Sequence, residues 1–437
     1  MGDGSAMAPP PVFRAAGQGG GEEGRTDSSE GVRPLSGWGL VALSFANVAI
    51  AYGVVLSFPV FLPVLVDHFH ASRGTVAAAF SWAMFMIGIT SLLVGNALDR
   101  WGPRRVFCAG ALALASGMGL AALAHSVWLL YVGFGLGGGV GASFLGWVSH
   151  GALLGRARLA RPATAIGIVY GGMGVGPLIT SPVAQRLITA FGWRWALAAI
   201  AITGCVALVA LNVWFHPPGP LAQDPGEAPG TRSGPGQGPS VQWALRTPHF
   251  WLYFLAFFAI GGSMYAVLAH EVAYVVDRGF TPMFAASVFG VTQVLSGVGR
   301  VLFGFLADRW GRDRLVVTSF VMSIGGIGCL LMVQEPGPAL FLYAFVALFG
   351  ISFGARGPIM TAMAAGHFGG PAFGTIFGSI TLAHGLGTAL GPWAAGFLFD
   401  RAGDYRVTFV LAMLSLAVAC AATLILHRLP NPSRVLR

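Results

Sequence analysis

Runs of twenty or more apolar residues, separated by short turns that often carry arginine, recur along the chain from about residue 38 to its end. A run of about 20 apolar residues is long enough to cross the hydrocarbon core of a bilayer as a helix. Read between turn signals and charges, the spans are 38–66, 74–98, 105–124, 127–154, 162–190 and 193–215, then 249–275, 282–306, 314–333, 338–366, 372–399 and 405–427. The expected class is an all-α membrane protein with twelve transmembrane helices, six plus six, with the Gly-rich fourth and tenth spans as places where a helix could break. Composition agrees: 9% of the residues are charged, against roughly a quarter in soluble domains.

Between the two sets of six lies a Pro- and Gly-rich stretch without periodicity, which reads as a flexible tether. The expected organisation is therefore a disordered tail over 1–36, a first six-helix bundle over 37–215, a linker over 216–247, a second bundle over 248–427 and a tail over 428–437. The first tail is rich in Gly, Pro, Ser and Glu and lacks the apolar core of a signal peptide. Arginine placement sets the orientation. Arg100, Arg104, Arg105, Arg156, Arg158, Arg161, Arg309, Arg312 and Arg314 cluster at the turns after the second, fourth and eighth spans. Asp67, Asp277, Glu335, Asp400 and Asp404 mark the opposite turns. Both termini and the linker are expected in the cytoplasm, with the chain in a cell membrane, the inner membrane of a bacterium.

Several function classes fall away on composition. The net charge of +9 comes from arginines at span ends, not from the clustered basic face of a nucleic-acid binder. Cys108, Cys205, Cys329 and Cys420 each lie in a different span, without CxxC or Cys/His spacing, so neither a disulfide nor a metal centre is indicated. No nucleophile elbow, zinc-protease or phosphate-loop motif occurs. No enzyme activity, cofactor or metal is expected.

The two halves share an echo. "GNALDRWGPRR" (Gly95–Arg105) returns as "GFLADRWGRDR" (Gly304–Arg314), and "GVGP" (Gly174–Pro177) returns loosely as "ALGP" (Ala389–Pro392). The repeated G-x-x-x-D-R-x-G turn resembles the signature of the major facilitator superfamily, and the resemblance covers residues 37 to 427. It implies two pseudo-symmetric six-helix bundles around a central cavity, working by alternating access. It also implies that Gly95, Asp99, Arg100 and Gly102, with Gly304, Asp308, Arg309 and Gly311, form a latch at the cytoplasmic side. The stretch from His270 through Arg300 to Arg309 is similar to the corresponding region of the monocarboxylate transporters and oxalate/formate antiporters.

Arg300 stands inside an apolar span, about 12 Å from the Asp308 turn at 1.5 Å per residue. An arginine at that depth costs about 3 kcal/mol on insertion scales and needs a partner or a wet cavity. Gln293 and Ser296 share its helical face, whereas the repeat-equivalent position in the first half is Ser91. The cation is therefore not part of the duplicated scaffold. A guanidinium donates two parallel bonds to a carboxylate, so a substrate carboxylate is one candidate partner and the carbonyls of a broken helix are the other. Arg356, among Gly354, Gly357 and Pro358, and His384 are further candidates for the substrate site. Asn47, Tyr52, Tyr170 and Tyr265 lie on spans that line the cavity in the resembling family. In the monocarboxylate branch an aspartate precedes the arginine by four residues, where this chain has Ser296. Glu271 and His384 remain as candidate proton carriers, with a solvated interfacial charge as the alternative for Glu271.

The leading expectation is a secondary transporter of a small organic anion, a monocarboxylate first, acting as a monomer in the bilayer with protons as a candidate co-substrate. A drug/proton antiporter of the same fold and a non-transporting membrane sensor are the alternatives. Between Val41 and Trp214 the acids are Asp67 and Asp99 alone, both at span ends, which weighs against binding a cation.

Overall fold

In the computed structural model, the described residues are 37–157, 159, 162–214, 240–333, 339–370 and 372–430. The expected tail over 1–36 and most of the linker lie outside them, as do Arg158, Arg161, Glu335 and the side chain of Asp308. All regular structure among the described residues is helical. In the first half the helices are α1 (Gly37–Leu56), α2 (Phe58–Phe69), α3 (Arg73–Ala122), α4 (Val127–Leu130), α5 (Gly139–Phe144), α6 (Trp147–Arg156), α7 (Pro162–Phe191) and α8 (Trp193–Trp214). After the short α9 (Val241–Leu245) come α10 (Pro248–Asp277), α11 (Pro282–Trp310), α12 (Arg312–Leu331), α13 (Leu340–Phe368), α14 (Phe373–Ala402) and α15 (Arg406–Arg428).

Ten continuous stretches are long and apolar enough to cross a membrane, and two of them run to 50 and 51 residues. At 1.5 Å per residue such a stretch is more than twice a bilayer core. Each breaks at a glycine with positive φ, Gly102 (φ 76°) in α3 and Gly192 (φ 82°) between α7 and α8. Divided there, the ten stretches become twelve of crossing length. Gly102 and its repeat partner Gly311 (φ 91°) share this left-handed conformation, which accounts for a glycine in both copies of the D-R-W-G turn.

The fourth span is broken, as its glycines allow. It passes through α4, a π-helical turn over Tyr131–Gly138, α5 and α6. A Cβ at Gly117 on α3 would lie 2.6 Å from the Gly133 carbonyl oxygen. The glycines thus let two backbones touch, as small residues do in membrane bundles. The tenth span, α13, is continuous despite Pro358. The linker departs from expectation at its end: Ser240 caps Trp243 N–H, and 241–245 is helical instead of structureless.

Across the halves, α7 lies against α11, α3 against α14 and α2 against α10. The α7–α11 contact runs from Leu178 and Gly290 through Gly174 and Gln293 to Gly171 and Gly297. The α3–α14 contact starts at Gly74 and Gly396 and thins to 4.0 Å at Gly88 and Gly385. Further toward the D-R-W-G turns, a Cβ at Gly95, Gly167, Gly304, Gly374 or Gly378 would meet nothing within 4 Å. Among the described residues the close glycine contacts between the halves are thus confined to one end and do not continue to the arginine-rich end, where a groove opens.

Candidate functional site

Arg300 sits where the parted groove begins. Its Nη1 donates to the Tyr170 carbonyl oxygen on α7 at 2.9 Å and faces the Met173 sulfur at 3.8 Å, so a cation of the second half reaches the first. The contact of Nη2 with Ser296 Oγ is long, at 3.5 Å. Among the described residues no carboxylate pairs with it, and Nε–H and one Nη2–H are left without a protein acceptor. Tyr52, Tyr170 and Tyr265 lie within electrostatic reach of the guanidinium. Trp147 stands edge-on to Tyr170 at 5.6 Å.

Tyr265 is the hub of the aromatic wall. Its ring lies 6.4 Å from Phe80 of the first half, 6.1 Å from Phe353 and 6.2 Å from His384. Arg300, Tyr170, Tyr265, Phe353 and His384 are all partly exposed although each lies well inside a span, as expected of a groove lining. Gln293 is buried at the α7–α11 contact with its Nε2 unpartnered.

Two other sequence candidates face elsewhere. Asn47 exchanges hydrogen bonds with Asn212 on α8, at 2.7 and 3.1 Å, inside the first bundle. Arg356 is 2% exposed inside the second bundle. It donates to Ser323 Oγ at 2.9 Å and to the Ser319 carbonyl at 3.4 Å, with the Phe320 ring 5.0 Å away. Neither bonds across the groove. Glu271 is fully buried, not solvated at the interface: Thr292 Oγ1 on α11 donates to its Oε1 at 2.8 Å, and Oε2 has no partner.

At the turns of the repeat, Asp99, Arg100 and Arg309 are exposed, with Arg309 over the Phe305 ring at 4.7 Å. Among the described residues an ion pair between the halves stands at the opposite end, between side chains that no motif in the sequence pairs. Arg73, at the start of α3, is paired bidentately with Asp277 at the end of α10, at 2.5 and 2.8 Å. It also donates to the Tyr405 hydroxyl at 2.9 Å and lies 4.1 Å from the centre of the Phe399 ring. Asp400 accepts from the backbone N–H groups of Arg73 and Gly74, both at 2.9 Å, and so caps α3 from the other half. A side chain at Gly74 would run into Phe397 and Asp400. Among the described residues no three His, Cys, Asp or Glu side chains come together to hold a metal ion.

A sequence profile described as Major Facilitator Superfamily matches residues 43–355 and 296–436. The chain belongs to the major facilitator superfamily. It is a multi-pass membrane transporter, and its relatives are transporters, not enzymes. It is 31% identical over 397 residues to mouse monocarboxylate transporter 11, covering 86% of this chain and 85% of that one. With bovine monocarboxylate transporter 13 it shares 30% identity, and 87% of each chain is covered. The fold of this superfamily member is similar to that of a bacterial homologue of the human lysosomal transporter Spinster, solved inward-facing and unoccupied. The TM-score is 0.70 at 15% identity, covering 89% of this chain and 96% of that one. The nucleoside transporter NupG gives the same TM-score at 13% identity, with 89% and 98% covered.

Proposed function

We propose that this transporter moves a small organic anion, a monocarboxylate first, by alternating access, with Arg300 as the counter-charge for the substrate carboxylate. One observation carries the reading: a guanidinium in the groove between the halves, with N–H donors to spare and no protein carboxylate among the described residues to take them. A fixed positive charge there favours an anion over the cations of a drug/proton antiporter. Tyr52, Tyr170, Tyr265 and His384 complete the site on this reading, while Arg356 and Asn47 hold their own bundles together. The similarity to monocarboxylate transporters 11 and 13 supports the substrate class. Glu271 and His384 are the candidate proton carriers. On the arginine-based orientation the parted end faces the cytoplasm of a bacterial inner membrane, and Arg73 closes the outer side. The D-R-W-G turns would form their latch when the cytoplasmic side closes.

The test is carboxylate binding and uptake in proteoliposomes. Arg300→Lys keeps the charge and loses the fork, so affinity should fall while some transport survives. Arg300→Ala should remove binding, a loss of about 2–5 kcal/mol for a buried charge-assisted contact. Equal carboxylate affinity in wild type and in well-folded Arg300→Ala rejects the assignment.

A further inference from the structure

The closed end of the molecule holds a titratable ring in its interior. His270, on α10, has no exposed surface. Its Nε2 lies 2.9 Å from the Pro392 carbonyl oxygen on α14, and its Nδ1 lies 2.9 Å from the Tyr405 hydroxyl. A carbonyl can only accept, so Nε2 carries the hydrogen and Nδ1 is the bare acceptor. The Tyr405 hydroxyl therefore donates to Nδ1, and its oxygen accepts from Arg73 Nη1. A single directed chain results: from Arg73 in the first half to Tyr405, then His270, then the Pro392 carbonyl in the second. Every proton along it is committed.

A second proton on the ring breaks this chain at one point. Protonated Nδ1 cannot accept, so Tyr405 must turn its hydroxyl proton away, and an imidazolium then stands near the Arg73 guanidinium. The other charges within reach of the ring are Asp277 and Asp400. Asp277 already holds Arg73, and Asp400 already caps α3. Glu271, next on α10, is bonded to Thr292 on α11, and the Tyr274 hydroxyl donates to the Leu330 carbonyl.

We propose that His270 is a proton-binding site that controls closure of the Arg73 end. The neutral ring completes the bridge between the halves, and a proton taken from the medium releases it. While the halves are closed, Arg73 holds the Tyr405 hydroxyl with its proton on Nδ1; when they part that hold is gone and Nδ1 is free to take a proton, so the parted state is the one that takes it. Linkage then requires acid to favour the parted state. This goes beyond the substrate reading and needs no substrate to test.

The experiment places spin labels on Phe191→Cys and Ala402→Cys, exposed positions at the closed ends of α7 and α14, with the four native cysteines replaced by alanine. Distance distributions are measured by double electron–electron resonance in nanodiscs, with the same buffer on both faces. The range runs from about pH 8 to about pH 5.5, above the ordinary carboxylate titration near 4. Wild type should shift toward the longer distance as pH falls, the closed-to-open ratio changing by up to about tenfold per pH unit for one proton. His270→Gln removes this titrating ring and should lose most of the shift, whatever Glu271 and His384 contribute. Tyr405→Phe leaves the ring but cuts it from Arg73, and should also lose the response. A wild-type distribution that does not move with pH overturns the proposal, and so does a wild-type response in either variant. Should His270→Gln not fold, wild type and Tyr405→Phe decide.

Discussion

A buried amide costs free energy unless both its ends are bonded. Asn47 and Asn212 meet that requirement by donating to each other, and Asn212 also donates to the Leu208 carbonyl at 2.8 Å. Asn212→Leu should leave the Asn47 amide unpaired and lower thermal stability by about 0.6–1.7 kcal/mol, the range measured for polar pairs between membrane helices. Replacing both with leucine should recover part of the loss, because no orphan remains. A melting series in detergent checks this, and an unchanged Asn212→Leu melt would remove the pair from the account. The depth of Arg300 was legible in the sequence, because a cation in an apolar span is costly wherever it points. Its contact with the Tyr170 carbonyl was not, because that acceptor lies 130 residues away in the other half and is backbone, which no residue type announces. Asn47 failed as a groove candidate for the same reason: nothing in its own span names Asn212.

Between elements, glycines decide how closely helices approach. A Cβ at Gly176 on α7 would lie 2.8 Å from the Gly53 backbone nitrogen on α1, and closer still to the Ala49 carbonyl. Gly176→Ala should therefore force α1 and α7 apart and destabilise the first bundle by about 1–3 kcal/mol, as overpacking does. Gly167→Ala on the same helix meets open space. It should be neutral or stabilising, by at most about 1 kcal/mol of helix propensity. Equal melting temperatures for the two variants would refute the contact. At this scale the sequence was most informative. Apolar length and flanking charge locate spans because the bilayer thickness is fixed, and glycine density marked the fourth span as breakable. The same density on α13 produced no break. The helix at 241–245 was hidden because five residues are too few to show a period.

Among the described residues the two halves pack together at one end, and the proposed alternating access requires that this contact be reversible. The pair Arg73–Asp277 is suited to this. It is partly exposed, with 19% and 34% of the two side chains accessible, so water can replace each bond as the halves separate. In the sequence Asp277 and Asp400 are only acids of the outer turns, since charges on separate turns cannot be matched until the helices they end are known to be neighbours. Asp277→Asn removes the charge but not the shape. At about 1.5–3 kcal/mol for hydrogen bonds to a charged group, the balance between closed and parted states should move roughly ten- to a hundredfold. Gly385→Cys, where a side chain meets open space across from Gly88, reports the change when it is the sole cysteine. A membrane-impermeant thiol reagent should label it slowly from outside intact cells and faster when Asp277→Asn is added. Ser233→Cys in the linker should stay unlabelled until the cells are permeabilised, which fixes the sides independently. Unchanged outside labelling of Gly385→Cys in the Asp277→Asn background would mean that the ion pair does not hold the halves together. The closed end would then rest on the Asp400 cap of α3, the bond from Arg73 to the Tyr405 hydroxyl and helix packing.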